Sequence, residues 1–286
     1  MKNRIIDALL YLFMFMVIQF VVNYIVIFGW QMAEGKSLGE TGKGFADGTI
    51  SLTAPMLIVS STVYSIITLA IFLWRKWCKV SGNYLRTRPA DVLLWAAVAA
   101  LGTVIPSEVF LELVPLPDVN SNILGEVMGS RWGYLSICIF APLVEELVFR
   151  GAILRVLLQG NNGFQAYSGE SLPSRNNHWG AITISALLFA LVHMNPAQMP
   201  HAFCLGLLLG WMYYRTRSVV PGIMVHWVNN TLAYAVYNII PNAGDIKVVD
   251  LFGGDYTRVA LSVVFSLLIL VPAIYQLHLR MKPAQE

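Results

Sequence analysis

Apolar residues fall along this chain in long unbroken runs, not with the alternation of a half-buried strand or the one-sided stripe of a surface helix. A helix needs about 17 to 25 mostly apolar residues to cross the hydrocarbon core of a bilayer. On that criterion the pattern predicts helices over residues 5–28, 54–74, 91–113, 133–158, 178–194, 201–214, 219–240 and 258–279. The fold class expected is all-α, a polytopic membrane helical bundle of about eight transmembrane helices. The fifth and sixth are short, and 201–214 has a length that suits a re-entrant or protein-buried segment as well as a span. No internal repeat, low-complexity tract or heptad pattern interrupts the series.

Between the runs, basic residues alternate with acidic ones from loop to loop. Lys2 and Arg4, then Arg75, Lys76, Lys79, Arg86 and Arg88, then Arg155 and Arg175, then Arg215 and Arg217, and finally Arg280 and Lys282 all fall on one side of an eight-helix topology. The opposing loops carry Glu108, Glu112, Asp118 and Glu126 against Arg131, and Asp245, Asp250 and Asp255 against Lys247. Short basic loops stay in the cytoplasm, so both termini are expected there. The run 5–28 is too long for a signal peptide and lacks a small-residue cleavage site, so it reads as a retained first helix. Residues 35–48, with five glycines, read as a mobile exposed connection, and 159–177 as a second flexible loop. Gly42-Lys43-Gly44 lacks the strand and Lys-Ser/Thr context of a phosphate loop.

Composition sharpens this picture. Of 286 residues, 57% are hydrophobic and 12% charged, against about 25% charged in an ordinary soluble domain. No polar stretch is long enough for a core of its own, so residues 1–286 form a single membrane domain whose partner is the lipid bilayer. The net charge of +3 is small, and nucleic acid is not an expected partner. Cys78, Cys138 and Cys204 are scattered, with neither a disulfide framework nor a zinc motif. Short loops and the absence of a retention signal favour a bacterial cytoplasmic membrane.

Against this apolar background, Glu145, Glu146 and Arg150 stand inside the fourth run. An ionised side chain near the bilayer centre costs roughly 2.5 to 3.5 kcal/mol on insertion scales, so three within six residues need internal partners and a reason. Glu146 and Arg150, four apart, share a helical face and can pair, whereas Glu145 diverges from its neighbour by about 100°. Glu145 is therefore expected to enter a polar pocket within the membrane. Two later helices add polar groups at the same spacing: Phe189 with His193, and His226 with Asn230.

A carboxylate, two imidazoles and a carboxamide from three helices suit peptide hydrolysis. A carboxylate in an apolar setting can take a proton from water near neutral pH. Imidazole and carboxamide N–H groups can hold the oxyanion of a tetrahedral intermediate, each donor being typically worth about 2.7 to 4 kcal/mol. No nucleophilic serine or cysteine motif is present.

Glu145-Glu146-x-x-x-Arg150-Gly151, Phe189-x-x-x-His193 and His226-x-x-x-Asn230 resemble the successive motifs of the CPBP family, also called Abi, which includes CAAX prenyl endopeptidases and bacteriocin-processing or immunity proteins. The motif-bearing core spans about residues 133–240, and the remaining helices carry no identifying residues. The resemblance implies an intramembrane endopeptidase acting on a peptide or lipidated-protein substrate. In it Glu145 would match the water-activating glutamate with His193 assisting, and His226 and Asn230 the oxyanion pair. Glu146 and Arg150 would be the structural pair, with Phe189 a packing or substrate-lining residue. Metal-free chemistry is favoured. Glu145, His193 and His226 could alternatively ligate a catalytic zinc, although the sequence has no HExxH. The competing reading is a non-enzymatic membrane protein, either a proton-coupled transporter or an immunity or scaffold protein. A transporter should show repeated halves with broken helices, which the sequence lacks. His178, His201 and His278, at helix ends, are assigned no role.

Overall fold

The computed structural model describes residues 2–80, 82–159, 178–241, 243–244 and 246–283, and all its regular structure is helical. In chain order these are α1 (Lys2–Ala33), α2 (Leu38–Asp47), α3 (Ala54–Trp74), α4 (Gly82–Arg86), α5 (Ala90–Leu113) and α6 (Ser121–Met128). There follow a composite helix α7 (residues 135–158), α8 (His178–Leu191), α9 (Met199–Thr216), α10 (Val220–Ile239), α11 (Val248–Leu251) and α12 (Tyr256–Arg280).

Each of the eight apolar runs forms a helix. Among the described residues, four of them are long and apolar enough to cross a membrane: Arg4–Ala33, Ala54–Trp74, Ala90–Leu113 and Tyr256–Arg280. Their outward faces are apolar, with Phe13, Phe20 and Ile25 on α1 and Phe265, Leu268 and Val271 on α12 exposed. In water such faces would aggregate; in lipid they meet a matching solvent. The four helices that carry polar site residues or stand beside them, α7 to α10, are shorter or less apolar.

The connection 35–48 is not the mobile loop that its glycines suggested. Ser37 and Glu40 form a reciprocal capping box at the start of α2, and Gly48 closes the helix in the left-handed region at φ +64°. Two otherwise unpaired N–H groups gain side-chain acceptors, which outweighs the poor helix propensity of the glycines. The loop read over 159–177 lies outside the described residues beyond Gln159.

Helix α7 is the centre of the bundle, meeting α1, α3, α8, α9 and α10. It is not a uniform α-helix: residues 135–140 and 147–154 adopt the wider π form, with α turns at 141–146 and 155–158. The first widening has a cause in Pro142. The Ala141 N–H bonds back five residues to the Ser136 carbonyl. The next donor in that register would be Pro142, which has no N–H, so the Ile137 carbonyl is left without a helical partner.

Small residues let the helices approach. A Cβ at Gly102 would stand 2.7 Å from the Cβ of Leu270, where α5 crosses α12. Gly206 and Gly210, one turn apart on α9, pack against Ala186 and Ile182 of α8, each leaving 2.9 Å for a Cβ. In lipid, where no hydrophobic force draws helices together, such close backbone contact is what holds them.

Candidate active site

Glu146 is fully buried and Arg150 is 1% exposed. The pair forms as the spacing indicates, with Arg150 Nη1 donating to Glu146 Oε1 at 2.7 Å. Arg150 Nη2 also donates to the Gly206 carbonyl at 3.3 Å. The guanidinium lies over the face of Phe189, 4.4 Å from the ring centre. Gly222 of α10 makes room for the carboxylate, since a Cβ there would sit 2.8 Å from Glu146 Oε2.

Glu146 does more than pair with Arg150. Its Oε1 also lies 3.2 Å from His226 Nδ1, across eighty residues of chain. A carboxylate here accepts, so the ring donates from Nδ1, and its Nε2 is thereby turned toward Glu145, 3.7 Å from Oε2. Glu145 keeps 19% of its side chain exposed where Glu146 keeps none. Two adjacent carboxylates thus have different surroundings because they leave the helix on different faces. The accessible one is free to meet a substrate or water, and the buried one orients an imidazole.

Phe189, 1% exposed, is a packing hub. Its ring stands edge-on to Phe149 at 5.1 Å, to His193 at 5.0 Å and to His226 at 5.8 Å. Helix α8 ends at Leu191, earlier than the 178–194 expected, so His193 is carried by the turn after the helix. That early end accommodates the position of His193 beyond the apolar segment. Its Nδ1 lies 2.8 Å from the Phe189 carbonyl. A carbonyl only accepts, so Nδ1 carries the proton and Nε2 is left as an acceptor.

The turn is held from outside the core. Met194 adopts a left-handed φ of +49°, an uncommon conformation for a side-chain-bearing residue that needs support from its surroundings. The next residue, Asn195, is fully buried and donates to Asp118 at 2.8 Å, while accepting from the Val119 N–H at 3.3 Å.

Asn230 takes the vacancy that Pro142 creates. Its Nδ2 donates to the Ile137 carbonyl at 2.9 Å, and its Oδ1 accepts from Asn229 Nδ2 at 3.3 Å. One of the two amide hydrogens is thereby committed to the Ile137 carbonyl.

Several residues at the site were not identified from sequence. Tyr64 of α3 is within electrostatic reach of Glu145. His201, read as an interfacial histidine, has its Nδ1 2.8 Å from Ser107 Oγ and interacts with Asn229, His226 and His193. Nothing within four residues of His201 in sequence marks it, because its partners come from other helices. Among the described residues, no three His, Cys, Asp or Glu side chains converge as a metal-ligating group. As positioned, Glu145, His193 and His226 therefore do not fit a zinc triad, and no step is derived through a metal.

Residues 128–232 match the family model described as type II CAAX prenyl endopeptidase Rce1-like. The matched stretch contains Glu145, Glu146, Arg150, Phe189, His193, His226 and Asn230. No curated protein and no solved structure matches the chain.

Proposed function

We propose that this chain, whose residues 128–232 match the Rce1-like family model, is an intramembrane endopeptidase hydrolysing a peptide bond with a water activated by Glu145. The substrate class that the family match favours is a prenylated CAAX tail. The observation that carries the proposal is the meeting of Glu145 and His226 at 3.7 Å, with Glu146 fixed on the opposite ring nitrogen.

In this mechanism the Glu145 carboxylate takes a proton from water as the water oxygen bonds to the scissile carbonyl carbon. The lone pair on His193 Nε2 assists in orienting that water. The carbonyl π electrons move to oxygen, and the oxyanion accepts hydrogen bonds from His226 Nε2–H and from the second hydrogen of Asn230 Nδ2. Collapse breaks the C–N bond, and the amine departs with the proton held by Glu145. Donation to the oxyanion uses a His226 ring that carries hydrogen on both nitrogens, one toward Glu146 and one toward the substrate.

The test is cleavage by purified protein in proteoliposomes, with farnesylated CAAX peptides, their unprenylated counterparts and other membrane-inserted peptides as substrates. Wild type should cleave, with preference for the prenylated peptides, and Glu145→Ala and His226→Ala should not. Cleavage that survives both substitutions would reject this site. Wild-type protein that cleaves none of the peptides would favour the non-enzymatic alternative, a proton-coupled transporter or an immunity or scaffold protein.

A further inference from the structure

The turn that carries His193 rearranges the hydrogen bonds at the end of α8. In a continuing α-helix the His193 N–H would bond to the Phe189 carbonyl, four residues back. Here it bonds to the Ala190 carbonyl at 3.3 Å, and the Met194 N–H likewise reaches back three residues, to the Leu191 carbonyl at 3.1 Å. The Phe189 carbonyl is thereby left to the His193 ring, whose Nδ1 donates to it at 2.8 Å. The tight turn and the tautomer of the ring are thus one arrangement. The turn is not what the local sequence favours, since Val192, His193 and Met194 continue the apolar pattern of α8 and Met194 must enter the left-handed region at φ +49°. Asn195 supplies the support. Its fully buried side chain meets the connection between α5 and α6, with Nδ2 donating to Asp118 Oδ1 at 2.8 Å and Oδ1 accepting from the Val119 N–H at 3.3 Å. Its backbone carbonyl accepts from the Gln198 and Met199 N–H groups at 3.0 and 3.1 Å, where α9 begins. Asp118 is itself fixed, because its Oδ1 also accepts from the Asn120 N–H at 3.1 Å.

We propose that Asp118 and Asn195 form a clasp that sets the tautomer of His193, by holding the turn in which the Phe189 carbonyl is free to accept from the ring. A neutral imidazole carries one proton, and the partner of one nitrogen decides what the other can do. With the clasp closed, Nδ1 keeps the proton and Nε2 keeps its lone pair. With the clasp released, residues 192–194 can wind on to α8, and the Phe189 carbonyl returns to the His193 N–H. The ring then loses the acceptor that held its proton on Nδ1, and Nε2 is no longer reserved as an acceptor for water. Asp118 and Asn195 are positioning residues, since neither touches the reacting atoms. They act from a segment seventy-seven residues away from the turn in sequence, so the connection between α5 and α6 becomes part of the site's support.

The kinetic arm of the test rests on the endopeptidase reading, and a spectroscopic arm does not. In full-length protein labelled with ¹⁵N-histidine, held in proteoliposomes at pH 8 without substrate, the His193 ring nitrogens are assigned by their loss in His193→Ala. Wild type should show a protonated Nδ1 and an unprotonated Nε2. In Asn195→Ala and in Asp118→Ala the two nitrogens should move toward each other as the proton is shared between them. Asp118→Asn, whose amide oxygen can still accept from Asn195 and from the Asn120 N–H, should keep the wild-type pattern. Asp118 is exposed, so its variants carry the test if Asn195→Ala does not fold. In turnover, Asn195→Ala and Asp118→Ala should lower kcat about ten- to a hundredfold with KM little changed, as expected for a misplaced catalytic group. In a His193→Ala background, Asp118→Ala should lower kcat no further. Unchanged His193 nitrogens in Asp118→Ala would overturn the clasp whether or not the protein proves to be a protease. A further loss of the same size in the His193→Ala background would overturn it as well, by showing that Asp118 acts through another group. Absence of wild-type turnover, with the change of tautomer present, would leave the clasp standing and remove the proteolytic reading instead.

Discussion

Arg150 and Glu146 show what a single buried residue does in this protein. Each is enclosed by protein, and each neutralises the other. Removing one partner leaves a buried charge uncompensated, which typically costs about 3 to 5 kcal/mol. Arg150→Ala should therefore lower the thermal unfolding temperature sharply in detergent or lipid, whereas Glu145→Gln, at a partly exposed position, should leave it nearly unchanged. Equal melting temperatures for Arg150→Ala and wild type would show that the pair is not structural. The contrast was legible in sequence because EExxxR encodes its own helical geometry. The role of Glu146 in holding His226 was not, since no spacing rule connects residues eighty apart. His201 was hidden for the same reason, its partner Ser107 being ninety-four residues away.

Cys78, in the connection after α3, shows burial acting on a residue outside the spans. Its side chain is 5% exposed, and burial pushes the thiol up to about 11, with the Arg155 charge opposing that rise. At pH 8 the folded protein should leave Cys78 unmodified by iodoacetamide, and unfolded protein should react. The unfolded thiol ionises first, so this contribution to stability is complete below the ordinary thiol range and is lost as pH rises through about 11. Rapid modification of folded protein at pH 8 would contradict the burial.

At the scale of an element, α7 combines a proline, two π segments and the carboxylates in one helix. The Ile137 carbonyl freed by Pro142 is the acceptor that Asn230 uses. Pro142→Ala would restore a backbone donor competing for that carbonyl, so it should lower kcat about tenfold while leaving stability within about 1 kcal/mol of wild type. Unchanged kcat would separate the proline from the site. Sequence periodicity locates α7 well but gives no sign of its π register, because widening arises from which carbonyls find donors. The end of α8 was misjudged by three residues for a related reason. Val192, His193 and Met194 continue the sequence pattern, but the chain turns at Met194 and is held there by Asn195 and Asp118. The spacing Ser37-x-x-Glu40 matches a capping box, a signal that the glycine-based reading of residues 35–48 left unused.

Across the whole molecule, four helices among the described residues are long and apolar enough to span, and the polar site residues lie on shorter or less apolar helices. Apolar run length finds the first group readily. It is less decisive for α7 to α10, since the residues that make a site also lower hydropathy. The arrangement of basic loops makes a topological prediction that a reporter can check: a fusion at Pro241 should lie opposite the cytoplasm, and a fusion at Met281 should be cytoplasmic. A cytoplasmic reporter at Pro241 would require a different number of crossings.

In the proposed reaction Glu145 delivers water to a peptide carbonyl. Its most direct test is cleavage of a farnesylated CAAX peptide in oxygen-18 water by wild-type protein and by Glu145→Gln, followed by mass spectrometry of both fragments. Wild type should place one heavy oxygen in the new carboxyl group, and Glu145→Gln should react at least about a thousandfold more slowly. Labelled product formed at comparable rates by the two proteins would contradict it.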